Sequence, residues 1–356
     1  MSRLIRAVID SEALRHNLSV VRARAGRARV IAVVKANAYG HGLVPAARAL
    51  AAADAFAVAR LEEALELRAA GIGTRIVLLE GVFSAAQLEE AAQARLDLVL
   101  HDPLQIELLE RSGGAGRFAL WLKIDSGMNR LGFACGDFAA ALARIRALAS
   151  APRELRLLTH LSCANERDDA VTRSQLERFR AATRGLDYEV SIANSAGLFG
   201  AVTLGCHWVR SGLALYGASP FEDCTAERLG LRPVMTLRSS VIAVRRVAPG
   251  EAVGYGATWV AGRDSLIAIV AAGYGDGVHR SLRSGTPVLI GGERAPLAGR
   301  VSMDMLAVDV SALSDVRMGT PVVLWGAGLP VEEVARHAGT IAYELLCSVS
   351  QRVPFE

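Results

Sequence analysis

The sequence predicts an α/β protein: a (β/α)8 TIM barrel over residues 9–230, followed by a second, mainly β domain over residues 231–356. Three observations carry this. Short β-type runs alternate with helical stretches through the first two-thirds of the chain, and eight such runs can be counted. Beyond about Leu231 the texture changes to β segments divided by Gly, Pro and Asp. Finally, 356 residues with 52% hydrophobic content can bury one large core or two unequal ones, which excludes a disordered or fibrous chain.

In chain order, the apolar stretch "LIRAVID" precedes the first helical segment and has no place in the eightfold count, so residues 1–8 are expected to pair with the second domain. The barrel strands are read in "RVIAVVK", "AFAVA", "RIVLLEG", "LDLVLHD", "FALWLKID", "LRLLTHL", "YEVSIANS" and "WVRSGLALYG". Between them, segments such as "RLEEALELRAAG" and "SAAQLEEAAQAR" repeat apolar residues at helical spacing and end in glycine or polar caps. The second domain is read from "MTLRSSVIAVRRV", "SLIAIVAAGYG", "TPVLIGG", "MLAVDV" and "TPVVLWG", with little helix before "PVEEVARHAG".

Charge and cysteine usage narrow the partners. The net charge of +4 comes from 40 basic and 36 acidic residues scattered along the chain, with 5% aromatics and no basic block, which argues against nucleic acid. Five cysteines, odd in number and far apart, draw neither a disulfide framework nor a CxxC metal site. The N-terminal "MSRLIRAVIDSEALRHN" breaks its apolar residues with Arg, Asp and Glu, so no signal peptide is expected, and no later run reaches membrane-spanning length. A cytoplasmic protein without a metal or a membrane partner is the expectation.

The barrel gives three basic residues an address. Ile31, Val33 and Lys35 share one strand face, with Lys35 at the C-terminal end, where barrel enzymes carry their catalytic groups. Lys123 shares a face with Trp121 and Asp125, and His160 closes another strand. The last two strands run into "ANSAGLFG" and "VRSGLALYG", whose Ser and Gly residues suit the phosphate site of this architecture. A lysine able to form a Schiff base opposite a phosphate cup is what holding pyridoxal phosphate requires.

Nine segments, "VVKANAYGHG", "LKIDSGMNRLGF", "THLSCAN", "ANSAG", "VRSGLALYG", "GYGATW", "GYGDG", "GRVSMD" and "YELLCSVSQRVP", resemble the motifs of the alanine racemases and follow that family's order from Val33 to Pro354. The resemblance implies that Lys35 forms the internal aldimine with pyridoxal 5'-phosphate. It implies that Tyr39, Ser195, Gly212, Leu213 and Tyr343 hold the phosphate, and that Arg210 faces the pyridine nitrogen with His160 supporting it. A guanidinium there cannot accept a proton, so the ring nitrogen would stay unprotonated and the carbanion short-lived.

Racemisation needs two bases on opposite faces of the cofactor, and Lys35 can serve only one. The resemblance supplies the second as Tyr255 in "GYGATW". By the same resemblance, Arg130 contacts the substrate carboxylate, while Met303, Asp304 and Tyr274 line the substrate side of the pocket. Lys123 aligns with a lysine carboxylated in many members, where a carbamate would turn a repelling neighbour of Arg130 into an attracting one. Ser302 stands where many members have cysteine. The implied activity is interconversion of L- and D-alanine, supplying D-alanine for peptidoglycan or degrading it. The implied assembly is a head-to-tail homodimer with composite sites. Decarboxylases of similar architecture use a carboxylate at the ring nitrogen and a cysteine in the second domain, where this chain offers Arg210 and Tyr255. Non-catalytic carriers of the cofactor are single barrels.

Overall fold

The computed structural model describes residues 4–166, 169–200 and 205–356. Strand β1 (Arg6–Ile9) leads into α1 (Ser11–Ala25), whose start is fixed by Asp10: its carboxylate accepts from the backbone N–H groups of Glu12 and Ala13, each at 2.9 Å. The barrel follows as β2 (Arg29–Val33), α2 (Lys35–Gly40), α3 (Leu43–Ala49), β3 (Ala55–Val58), α4 (Leu61–Ala69), β4 (Ile76–Leu78), α5 (Ala85–Gln93), β5 (Asp97–Leu100) and α6 (Pro103–Ser112). It continues through β6 (Ala119–Asp125), β7 (Phe133–Ala134), α7 (Phe138–Arg146), β8 (Glu154–Leu158), α8 (Ala170–Ala182), β9 (Val190–Ser191), α9 (Ser195–Phe199) and β10 (Trp208–Ser211).

Eight of these strands run parallel in the order β5-β4-β3-β2-β10-β9-β8-β6, and pairing of β5 with β6 closes the ring. Most of their buried residues are Val, Ala, Leu and Ile with almost no exposure, because helices cover the outside and side chains fill the inside. Two details depart from a plain eightfold repeat. The short β7 adds to β6 beyond the ring, and β10 is followed only by a 3-10 turn, Leu213–Tyr216. Helix α1 packs against that turn, α3 and α9, and so completes the helical layer from the N-terminal side of the barrel.

The remaining chain forms β11 (Met235–Val247), β12 (Ala252–Val253), β13 (Trp259–Val260), β14 (Ser265–Val270), β15 (Pro287–Ile290), β16 (Glu293–Pro296), β17 (Leu306–Asp309), β18 (Pro321–Trp325), α10 (Val331–Ala338) and α11 (Ala342–Ser348). The long β11 is the spine of a sheet ordered β16-β15-β18-β11-β14-β17. β1 joins this sheet antiparallel to β11, with Ala7 opposite Leu237 and Ile9 opposite Met235. The last residues return to β1, where Ile9 donates its N–H to the carbonyl of Glu356 at 2.8 Å. Among the described residues no helix is long and apolar enough to cross a membrane.

The N-terminal ends of the barrel strands carry a network of paired charges. Arg75 donates to Glu154 at 2.6 Å and to Asp97 at 3.1 Å, and Trp121 donates its indole N–H to Asp97 at 3.0 Å. Arg156 donates to Glu189 at 2.7 Å and pairs with Glu154, while Trp208 donates to Glu189 at 2.9 Å and Arg29 pairs with it. The guanidinium of Arg156 also lies 5.0 Å from the Trp121 ring centroid and 5.2 Å from that of Trp208. These groups floor the barrel with paired charges, although Nη1 of Arg156 has no hydrogen-bond partner.

The floor makes stability depend on acid. The hydrogen bond from Arg75, helped by Arg156, holds Glu154 down to about 2 from the ordinary 4.5. Burial opposes ionisation of Glu189, but Trp208, Arg156 and Arg29 outweigh it and hold that carboxyl at about 2 as well. Both therefore stabilise the fold above about pH 4.5, and the contribution is lost as the pH falls toward 2. Asp97, raised by burial, works in the opposite sense and limits the gain. The thermal midpoint should fall between pH 4.5 and 2, and less steeply in an Arg156→Leu variant. At pH 7 that variant should be less stable by about 1 kcal/mol, because Glu154 and Glu189, partly exposed and still held by Arg75 and Arg29, each lose one charged partner. Calorimetric midpoints that coincide at pH 7 would contradict this account.

Candidate active site

The C-terminal ends of the same strands build a cavity. β2 ends at Val33, and Lys35 opens α2 at the barrel mouth. Directly after it, Ala36, Asn37, Ala38 and Tyr39 take φ of +54°, +54°, +53° and +53°, a left-handed turn of four residues that all carry a Cβ. Each costs roughly 1–2 kcal/mol relative to the right-handed form. Neighbours hold the turn. Glu63 accepts from the N–H of Ala36 at 2.6 Å and, with its other oxygen, from Ala59 at 2.9 Å and Arg60 at 3.1 Å. Asn37 accepts from Leu43 at 2.8 Å. Gly40 seats the turn on α11: a Cβ there would stand 2.2 Å from the Leu346 carbonyl oxygen, so only glycine fits.

The turn brings the Tyr39 hydroxyl against the loop after β10. A Cβ on Gly212 would stand 2.3 Å from Tyr39 Oη, so the bare glycine leaves a cradle between hydroxyl and main chain. Ser195 Oγ accepts from the N–H of Gly212 at 3.0 Å and of Ala214 at 3.4 Å, binding the loops after β9 and β10 together. Asn194 caps α9 by accepting from Gly197 at 2.9 Å and ties it to the Leu161 carbonyl at 3.3 Å. The Tyr343 ring, from α11, lies 5.8 Å from that of Tyr39. Burial pushes both phenols up, so both are neutral hydroxyls.

On the other side of the cavity Arg210 is buried at the end of β10. It donates to Ser191 Oγ at 2.7 Å, to the Thr159 carbonyl at 2.6 Å and to His160 Nδ1 at 3.3 Å. Burial, followed by the neighbouring cations Arg210, Arg130 and Lys123, lowers His160 to about 2, so the imidazole is neutral and its Nδ1 accepts. Burial lowers Arg210 only to about 10, and it stays protonated at neutral pH. Burial and then Arg210 and Arg130 lower Lys123 to about 8. Arg130 follows a tight loop organised by Asp125, whose carboxylate accepts from the N–H groups of Gly127, Met128, Asn129 and Arg130 at 2.8–3.2 Å.

The cavity is about 660 Å³, and its walls include Lys35, Tyr39, Lys123, Arg130, His160, Ser195, Arg210, Gly212, Leu213 and Tyr343. Every barrel residue singled out in the sequence is thus brought to one place, together with Tyr343 from the second domain. Tyr255, Tyr274, Met303 and Asp304 are not. They lie on the surface of the second domain, with Tyr255 66% exposed, and Asp304 accepts from Arg352 at 2.6 Å. The loops bearing Tyr274 and Met303 are joined by backbone bonds from Tyr274 to Ser302 at 3.0 Å and from Gly275 to Met303 at 2.8 Å. Sequence reasoning gave no role to Glu63, His41 or Tyr216. Glu63 reads as one polar residue of an amphipathic helix, whereas His41 and Tyr216 sit inside quoted motifs and could have been asked about.

Chemically, the arrangement offers an amine on a flexible stem, a cup of neutral hydroxyls and backbone amides suited to a phosphate, and a buried guanidinium, in a cavity where, among the described residues, Glu80 is the one carboxylate of the lining. Comparison with known proteins gives the same direction. The alanine racemase N-terminal domain matches residues 9–220, and the alanine racemase C-terminal domain matches residues 234–356. The alanine racemase of Nitrosococcus oceani is 49% identical over 349 residues, spanning 98% of this chain and 98% of its own. The biosynthetic alanine racemase of Pseudomonas aeruginosa superposes with a TM-score of 0.96 at 49% identity, over 100% of this chain and 99% of the other. The alanine racemase of Bartonella henselae, solved with covalently bound pyridoxal phosphate, superposes with a TM-score of 0.89 at 30% identity, over 100% and 99% of the two chains. The chain belongs to the alanine racemase family, pyridoxal-phosphate-dependent isomerases that interconvert L- and D-alanine.

Proposed function

We propose that this chain racemises alanine with pyridoxal phosphate seated in the barrel-mouth cavity, using Lys35 and the partner subunit's Tyr255 as its two bases. The observation that carries the reading is the meeting of Lys35, the Tyr39–Gly212 cradle and the buried Arg210 on one cavity. The residues present fit the cofactor. Tyr39, Ser195 and Tyr343 supply hydroxyls and Gly212 and Leu213 backbone amides for the phosphate, Arg210 would face the ring nitrogen, and Lys35 Nζ would make the covalent link. The covalently held cofactor of the Bartonella henselae relative supports that assignment. When bound, pyridoxal phosphate supplies a ring that accepts the electron pair left as the alanine α-proton departs.

Each protein group then has one task. Lys35 Nζ removes or returns the α-proton on one face, and the phenolic oxygen of the partner subunit's Tyr255 does so on the other. Arg210, protonated and backed by a neutral His160, donates a hydrogen bond and cannot accept a proton. Arg130 draws the substrate carboxylate by charge. Lys123, lowered to about 8, has a neutral fraction near neutral pH, the form that carboxylation needs, and a carbamate would place a negative charge beside Arg130. The exposed Tyr255, Tyr274, Met303 and Asp304 suit a homodimer in which each second domain covers its partner's cavity, with Met303 restricting the substrate side chain to a small one. The likeness to the biosynthetic Pseudomonas aeruginosa enzyme favours supply of D-alanine for peptidoglycan over its degradation. Scattered cysteines favour the cytoplasm.

Replacing Lys35 with Ala should lower racemisation by about 10⁴-fold or more and remove the visible absorption of the bound cofactor, with an unchanged far-UV circular dichroism spectrum. A yellow, active Lys35→Ala protein would refute the assignment. Arg210→Glu puts a proton-sharing group at the ring nitrogen, so pyruvate formed per D-alanine formed should rise while the racemisation rate falls. An unchanged product ratio at a lower rate would mean that Arg210 only orients the ring.

A further inference from the structure

The run from Ala36 to Tyr39 needs an explanation, because residues with a Cβ enter the left-handed region singly rather than four in a row. Glu63 and Asn37 hold its first half. Its second half is held by a group that has no part in the chemistry above. His41 Nδ1 lies 3.0 Å from the carbonyl oxygen of Ala38 and 2.9 Å from that of Tyr39. Both neighbours only accept, so the ring proton sits on Nδ1 and is shared between the carbonyls of the last two residues of the run. Nε2 is then the lone-pair nitrogen, and it is buried with no hydrogen-bond partner. A neutral ring tolerates that position and a charged one does not, and burial accordingly lowers His41 to about 4.

The ring is also fixed in orientation. Its centroid is 4.6 Å from that of Tyr216, which stacks on Tyr39 at 4.7 Å and donates its hydroxyl to the Val33 carbonyl at 2.9 Å. His41, Tyr216 and Tyr39 therefore form one stacked row behind the Tyr39–Gly212 cradle. Without the shared Nδ1 proton the Tyr39 carbonyl loses its buried side-chain donor and the Ala38 carbonyl keeps only the backbone N–H of His41 at 3.0 Å, so the strained backbone loses the restraint on its last residue. The direction of the Tyr39 hydroxyl would change with it. Resting on the reading of Tyr39 as a phosphate ligand, we infer that His41 is a positioning residue: its Nδ1–H locks the left-handed turn and so keeps the Tyr39 hydroxyl at Gly212, where the cofactor phosphate is held.

The experiment compares holoenzymes of wild type, Tyr39→Phe, His41→Phe, and His41→Phe combined with Ala38→Gly. Retention of pyridoxal phosphate is read by equilibrium dialysis, and the phosphate environment by its 31P resonance. His41→Phe keeps an aromatic ring on Tyr216 but removes the donor. It should weaken retention by about ten-fold or more, as the loss of one charge-assisted hydrogen bond does, and shift the 31P signal in the same direction as Tyr39→Phe. Adding Ala38→Gly, inside the half of the turn that His41 holds, should restore both readouts, because glycine takes positive φ without the penalty that the lock offsets. Loss of packing alone could not be rescued in that way. Wild-type retention in His41→Phe, or no recovery on adding Ala38→Gly, would overturn the inference. Should His41→Phe fail to fold, the double variant is read in its place: folded with cofactor retained supports the lock, and unfolded overturns it. Failure of the underlying reading looks different, since wild type would then retain no cofactor or Tyr39→Phe would change neither readout.

Discussion

Positive charge crowded at one end of the barrel is the constraint on which the rest depends. Lys35, Lys123, Arg130 and Arg210 line a single cavity in which, among the described residues, Glu80 is the one carboxylate. Burial first, and repulsion between like charges after it, lowers Lys123 and keeps His160 neutral. Such a cavity calls for a ligand with several negative charges, and a phosphate together with a substrate carboxylate supplies them. At the mouth, Glu63 and Asp125 are engaged by backbone N–H groups, and a second set of barrel acids is placed elsewhere. Asp97, Glu154 and Glu189 sit at the opposite ends of the strands, each engaged by arginine or tryptophan. One scaffold thus keeps paired charge at its floor and concentrated positive charge at its mouth, the end where barrel enzymes act.

Conformational strain follows the same division. The floor is built from regular strands whose side chains pair, and it stabilises. The mouth contains a left-handed turn that costs several kcal/mol at roughly 1–2 per residue, and it is tolerated because Glu63, Asn37, Gly40 and His41 hold it from different sides. Because Gly40 seats this turn on α11, the second domain also helps to fix the position of a barrel-borne hydroxyl. The cavity is shared between the domains even within one chain, as Tyr343 from α11 faces Tyr39.

The fold was legible in the sequence to the extent that burial writes a local pattern. Strands covered on both faces read as short apolar runs, and each of the eight quoted runs contains a barrel strand. The two-residue β7 and the use of α1 to complete the helical layer were not legible, because a brief pairing has no period and ring closure is a long-range property. The floor was equally hidden. Arg29, Arg75, Asp97, Glu154 and Glu189 look like solvated strand ends one at a time, and only the closed ring makes them neighbours. At the mouth, "KANAYG" gives no sign of positive φ, since alanine has no preference for it, so the strain appears only in three dimensions. Tyr255, Tyr274, Met303 and Asp304 were recognisable from family motifs alone, and a single chain leaves them away from the cavity they are proposed to serve.

The most direct test of the central claim mixes two inactive proteins, Lys35→Ala and Tyr255→Phe, and measures racemisation after verified subunit exchange. If each site takes Lys35 from one chain and Tyr255 from the other, a mixed dimer has one site lacking both groups and one site with both intact. Random exchange makes half of the dimers mixed, so activity per chain should recover to about one quarter of wild type. Activity that stays at background would mean that both groups act from the same chain, and would contradict the shared two-base site.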